Sequence, residues 1–440
     1  MSSRDYPLEI PTRYRVILEC ALIGSIGILL LDFMIFWCDV YYYSDDVNVL
    51  YPVAVKNLMV SRGDSARPLE YLIVLAANNL YLPLWLIASL LCVVGTAIVS
   101  GLACERLFER QLPKAGWRIL GLANPLAFYI VSQPDEVATA LSDLVFAVAI
   151  FTFISEFYRL RAQSTASWRD DITGFSLNLV SAALIFTKET AVAAAVVMPA
   201  VTAFIRFRVN RLSHIFLLSL LFPAGATGVW ILLKLGNPIL FPTAPGTGRY
   251  YLKLDPITWA QNFVVTFAFP ITPLPTSFME FELLRPLWVA AAVGSFILFV
   301  LFLLWQALRR PRIILPLLVV VVSSAPMILV HSSEKYSTMF TPLMISTILI
   351  FTVTKAKRFA LTYGLLLYIA AFANGVIYCL GVDFNLLGLE RLDYSIYGTG
   401  YQFYPICPIR TTARVGFDPT ANGELPFGPP LVKGRITCIQ

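Results

Sequence analysis

What this sequence has least of is charge. Only 14% of its 440 residues are Asp, Glu, Lys or Arg, against about 25% in soluble domains, and 58% are apolar. That balance excludes a water-soluble fold. Histidine occurs twice, and the seven cysteines are scattered without metal-like spacing. Cys20 and Cys92 fall inside apolar runs and read as small packed side chains. No basic tract or aromatic-basic module points to nucleic acid. No internal repeat is apparent, and no stretch is polar enough for a soluble domain of ordinary size. The N-terminal residues also lack a cleavable-signal pattern. Their first apolar run, Val16 to Cys38, has about 23 residues and is long enough to span a bilayer, so it reads as a signal anchor.

What is present is a succession of apolar stretches between charged turns, at 16–38, 82–102, 119–133, 138–157, 172–187, 191–205, 213–234, 286–307, 313–330, 340–354 and 359–380. These predict an all-α polytopic membrane protein of about 11 transmembrane helices. With the N-terminus cytoplasmic, every cytoplasmic connection is basic, as orientation by local Lys and Arg bias requires. Those connections hold Arg106, Arg110, Lys114 and Arg118, then Arg159, Arg161 and Arg169, then Arg206, Arg208 and Arg211, then Arg309, Arg310 and Arg312. Two long loops, 39–81 and 235–285, fall on the other side with the tail 381–440, leaving 1–380 as the membrane domain. The first loop reads as interfacial amphipathic helices and the second as Pro- and Gly-rich turns.

Three hairpins, 119–157, 172–205 and 313–354, carry polar tips on the non-cytoplasmic side. Around Lys188 the arms have about 15 residues, roughly 22 Å at 1.5 Å per residue, which predicts a tip recessed below a surface about 30 Å from the other. A tip at that depth needs protein or a water-filled cavity around it.

The residues able to do chemistry gather on that side. Asp45 and Asp46 follow Tyr41-Tyr42-Tyr43-Ser44 in the first loop, and paired carboxylates suit a general base or a divalent ion. The plain alternative is a solvated pair capping the next helix. Arg67, before Pro68, offers a guanidinium fork for phosphate or for lipid headgroups. The hairpin tips supply Asp135 and Glu136 with Asp143 just beyond, then Lys188 and Glu189, then His331, Glu334 and Lys335. Lys188 can meet Glu189 or an anionic ligand, and His331 and Lys335 can meet phosphate or cap helices. Cys407 and Cys438 lie in the polar tail, where an oxidising compartment would allow a disulfide between them.

In these residues the chain resembles the GT-C superfamily of membrane glycosyltransferases. The resemblance lies in Ser44-Asp45-Asp46 followed by Arg67-Pro68-Leu69, in Lys188-Glu189-Thr190 between two short spans, and in Glu334-Lys335-Tyr336 ahead of Pro342. It covers the layout of spans one to ten and is closest to the Gtr-type glucosyltransferases that modify bacterial O-antigen in lipopolysaccharide. It implies inverting transfer of a sugar from a polyprenyl-phosphate donor to a glycan acceptor at the extracytoplasmic face of a bacterial inner membrane, with a periplasmic tail. Asp46 would be the base and Asp45 would orient it or bind metal. Lys188, Arg67, Lys335 and His331 would hold the donor phosphate, supported by Asp135, Glu136, Glu189 and Glu334, while Tyr42, Tyr43 or Tyr250 would stack on sugar rings. Some GT-C families use a divalent ion such as Mg or Mn and others none. The first loop here has no D-x-D spacing, so the metal stays open. Rival readings are a transporter or flippase of lipid-linked glycans, an O-antigen ligase or polymerase, and a non-catalytic scaffold.

Overall fold

The computed structural model describes residues 12–38, 40–41, 82–112, 115–122, 137–162, 168–187, 191–240, 255–275, 282–323, 339–355, 362–373, 408–409, 414–418 and 435–439, with single positions 278, 325, 328 and 376. They are predominantly helical. In chain order the helices are α1 (Thr12–Cys38), α2 (Leu82–Phe108), α3 (Val137–Ala162), α4 (Trp168–Thr187), α5 (Val192–Arg208), α6 (His214–Ser219), α7 (Leu221–Leu240), α8 (Pro256–Ala268), α9 (Arg285–Arg309), α10 (Ile314–Ser323), α11 (Thr341–Lys355) and α12 (Thr362–Ala373). A 3-10 segment, Ala115–Leu122, follows α2, and shorter ones, Phe269–Ile271 and Pro311–Ile313, follow α8 and precede α10.

Five stretches are long and apolar enough to cross a bilayer: Thr12–Leu31, Ile87–Phe108, Thr139–Arg161, His214–Leu232 and Arg285–Arg309. The chain is therefore an α-helical integral membrane protein. Shorter apolar helices, Pro311–Ser323, Thr341–Phe351 and Thr362–Ala373, lie beside them. The spans expected at 119–133 and 313–330 run beyond the described residues.

The helices run in both directions, α2, α3, α5, α9 and α11 ending where α4 and α6 begin, so the bundle has two distinct ends. At one of them Tyr158 on α3 donates its hydroxyl to the carbonyl of Leu107 on α2 at 2.8 Å, and Arg310 after α9 donates to the carbonyl of Phe108 at 2.6 Å. Arg159 near the end of α3 meets Asp170 in the first turn of α4 at 2.8 Å. Ser213, the N-cap of α6, donates to Asp171 at 2.5 Å. The basic connections from Arg106 to Arg312 thus converge on one end, as the charge pattern required. At the other end Ser142 on α3 and Thr187 on α4 share a hydrogen bond of 3.1 Å. Helix α11 runs between the two, with Phe340 just before it against Phe146 and its Phe351 against Phe108, each edge to face at 5.0 Å.

Helix α3 is the centre of the bundle. Its apolar stretch is 61% buried, against 17% for α9, whose Leu287, Ile297, Leu301 and Leu308 face outward, as lipid-facing side chains do. The core joins Phe146, Ile150 and Phe153 of α3 to Leu177 and Leu184 of α4, Ala195 and Met198 of α5 and Leu349 of α11.

The all-α class holds, with two short ladders beside the helices, β1 (Val40–Tyr41) antiparallel to β2 (Pro408–Ile409) and β3 (Arg414–Asp418) to β4 (Arg435–Ile439). Two expectations need correction. The segment 235–285 is more than turns. It contains α8, started by Asp255, whose carboxylate accepts from the backbone of Ile257 at 3.1 Å and of Thr258 at 3.0 Å, with Pro256 at the first helical position. Phe263 and Phe267 of α8 then pack on Phe296 and Phe340, at 5.4 and 5.7 Å. Finally, the arms of the Lys188 hairpin are longer than apolarity indicated. At 20 and 17 residues, α4 and α5 reach about 30 and 26 Å, so the shortfall in length is smaller than expected, and the tip itself, 188–190, lies outside the described residues. The additional turn of α4 carries Arg169, Asp170 and Asp171, and acids suit a helix N-terminus.

Candidate functional site

The residues expected to carry chemistry, Asp45, Asp46, Tyr42, Tyr43, Arg67, Asp135, Glu136, Lys188, Glu189, Tyr250, His331, Glu334 and Lys335, all lie outside the described residues. So does Cys407, while Cys438 sits in β4 in register with Val415. What is described is the frame to which they attach. Glu136 immediately precedes Val137, the first residue of α3, and Lys188 immediately follows Thr187, the last residue of α4. These junctions belong to the end of the bundle marked by the Ser142–Thr187 hydrogen bond, opposite the arginines. Phe340, which follows the segment holding Lys335, contacts Phe146 at the end of α11 away from Phe351 and the arginines. In front of Tyr42, strand β1 is held by β2 of the tail, so the C-terminal segment meets the chain just before the Asp pair.

The walls at this end are polar in a small way. Thr139, Ser142 and Asp143 of α3 and Thr187 of α4 are all buried, and Thr187 also donates to the carbonyl of Leu184 at 2.9 Å. The hydroxyls satisfy one another within a turn of helix and add no net charge, while Asp143 places a buried carboxylate beside them. Among the described residues, no three His, Cys, Asp or Glu side chains group as a metal centre.

The opposite end holds a denser arrangement than its scattered basic residues indicate in sequence. Arg206, near the end of α5, is fully buried and donates to Glu156 of α3 through Nε at 3.0 Å and Nη2 at 2.5 Å. Its Nη2 also donates to the backbone carbonyl of Asp170, and its guanidinium lies 4.2 Å from the ring centroid of Phe216 on α6. Asp171 stands 3.6 Å from Nη1. The second oxygen of Glu156 takes Arg159 at 2.5 Å, and Arg159 reaches on to Asp170. One guanidinium therefore binds groups from three other helices, as its planar fork allows. Space for it exists because residue 174 is glycine: a Cβ there would lie 2.6 Å from both Arg206 Nη2 and Phe216 Cδ2.

A second set of ion pairs closes the same end beside α2. Glu105 accepts from the backbone of Leu112 at 2.9 Å and from Arg118 at 3.0 Å, while Arg312 meets Glu109 at 2.5 Å. Glu109 itself has φ 49°, a left-handed turn that reverses the chain after α2. The carboxylates of Glu105, Glu109 and Glu156 are thus each engaged by arginine or amide donors. These ion pairs tie α2, α3, α4, α5 and the segment after α9 together at this end.

Compared with protein-family models, curated proteins and solved structures, the chain matches none. A signal for the buried network was nonetheless present in sequence. Glu156 and Arg159 are one helical turn apart, and Arg169-Asp170-Asp171 places two acids directly after the loop that follows them.

Proposed function

We propose that the chain is a membrane glycosyltransferase of GT-C layout with eleven spans, which moves a sugar, glucose in the closest resemblance, from a polyprenyl-phosphate donor to a glycan acceptor. The reaction face is the end of the bundle away from the arginines, which in a bacterial inner membrane is the periplasmic one. One observation carries the reading. The segments bearing Asp135 and Glu136, Lys188 and Glu189, and His331 to Lys335 all join described helices toward that end, while the arginine end is occupied by internal ion pairs. Transfer with inversion needs a base for the acceptor hydroxyl and cations around the departing phosphate. Asp46 is the base, with Asp45 beside it. Lys188, Arg67, Lys335 and His331 surround the phosphate. A divalent ion, Mg or Mn, belongs at the Asp pair only if chelation abolishes transfer and either ion restores it.

The test is incubation of the purified protein with labelled polyprenyl-phosphate sugars and lipid-linked glycan acceptors. Wild type should release polyprenyl phosphate and label the acceptor, and Asp46→Asn should insert normally and transfer nothing. Lys188→Ala should weaken donor binding by about tenfold or more, the worth of a hydrogen bond to a charged group. Full activity of the Asp46→Asn variant removes Asp46 as base. A wild type that moves lipid-linked glycan across vesicles without consuming any donor sugar replaces the reading with a flippase.

A further inference from the structure

The arginines at the basic end divide into two populations by where they point. Arg206, Arg159 and Arg310 turn inward onto Glu156, Asp170 and the carbonyl of Phe108. Beside each of these inward groups stands an exposed arginine on an aromatic ring. Arg208, two residues after Arg206, lies 5.8 Å from the ring centroid of Phe204. Arg169, next to Asp170, lies 6.0 Å from that of Trp168, and Arg309, next to Arg310, lies 4.1 Å from that of Trp305.

Helix geometry directs one of them outward: successive residues rotate by about 100°, so Arg208, two positions from the inward Arg206, faces away from it. Arg169 and Arg309, one position from Asp170 and Arg310, are likewise exposed in the structure. The rings that carry them face outward too: Trp168 is 69% exposed, Phe204 61% and Trp305 40%. Exposed apolar side chains continue directly from the rings toward the middle of the helices, through Ile172 on α4 and Leu304 and Leu301 on α9. A cation above an aromatic ring above exposed aliphatic side chains matches the order of layers in a bilayer leaflet, with phosphate, glycerol and then acyl chain.

We infer that Arg169, Arg208 and Arg309, each seated on its aromatic neighbour, form a girdle that selects anionic phospholipid headgroups on the basic face. This does not depend on the glycosyltransferase reading. A soluble acidic partner fits less well, because the aliphatic surface adjoining each arginine would remain in water beneath it.

The test is native mass spectrometry of the full-length protein released from detergent and titrated with phosphatidylglycerol and phosphatidylcholine of equal chain length. Wild type should retain phosphatidylglycerol preferentially. The preference should fall by about fivefold for each of Arg169→Gln, Arg208→Gln and Arg309→Gln, the worth of one basic residue at an anionic surface. Arg→Lys at the same positions should keep most of it, since charge remains. Thermal unfolding in detergent should match wild type throughout, which separates lost lipid contact from lost fold. Equal retention of the two lipids by wild type overturns the inference, as does a preference left unchanged in the triple Gln variant.

Discussion

The two ends of this bundle handle polarity in opposite ways. At the arginine end full charges are buried and paired, with Arg206, Glu156, Arg159 and Asp170 in contact across three helices. At the other, the hydrogen bond that joins α3 to α4 is between hydroxyls, Ser142 with Thr187, and the buried charge beside it is the single carboxylate of Asp143. A buried ion pair holds its helices in one arrangement and is costly to break. A hydroxyl pair joins helices without committing a charge to either. The difference separates two tasks, with closure assigned to one end and the proposed chemistry to the other.

The strongest way to break that comparison is Arg206→Ala. It leaves Glu156 buried with only Arg159 for company, and should cost about 3–5 kcal/mol, read as a large fall in the midpoint of denaturant unfolding in detergent. If Arg206→Ala is as stable as wild type, the network is not the closure described. A smaller effect is expected from Gly174→Ala, whose methyl meets Arg206 and Phe216 at 2.6 Å. Displacing either should cost about 1–3 kcal/mol, and combining the change with Arg206→Ala should bring a smaller further loss, because one of the two obstacles is gone while Phe216 stays. Smallest of all is Arg312→Gln. Its pair with Glu109 is about half exposed on the Arg312 side, 49%, and 40% on the other, so removal should change stability by about 0.2–1 kcal/mol and less at high salt. A loss from Arg312→Gln as large as that from Arg206→Ala would erase the distinction between buried and surface pairs.

Much of this was legible in sequence, and the reasons differ by feature. Sidedness was readable because Lys and Arg bias is a local property of each connection, and Arg159, Arg206 and Arg310 do share one end. Helix positions were readable where apolar runs coincide with helices. They were misjudged at α4, because the helix continues through Arg169, Asp170 and Asp171, residues that count against a span until their partners are known. Glu156 and Arg206 are separated by 50 positions, and nothing in the composition of either segment names the other. Helix α8 was readable from Asp255-Pro256 with Trp259, Phe263 and Phe267 four residues apart, but the prolines that follow drew the reading toward turns. Of the candidate site, the sequence alone supplies Asp45, Asp46 and Lys188. The structure adds the bundle end to which the Lys188 segment attaches.

The ion pairs of α4 also impose an order in time. Helix α4 is not among the five that cross a bilayer by length and composition alone, and its first turn carries two acids. Arg159 precedes them in synthesis and can meet Asp170 at once. Arg206 is made only after the whole of α5, so Glu156 and the Asp170 carbonyl wait for it. The network that joins α3, α4 and α5 can therefore be complete only once the last of these three helices has been made.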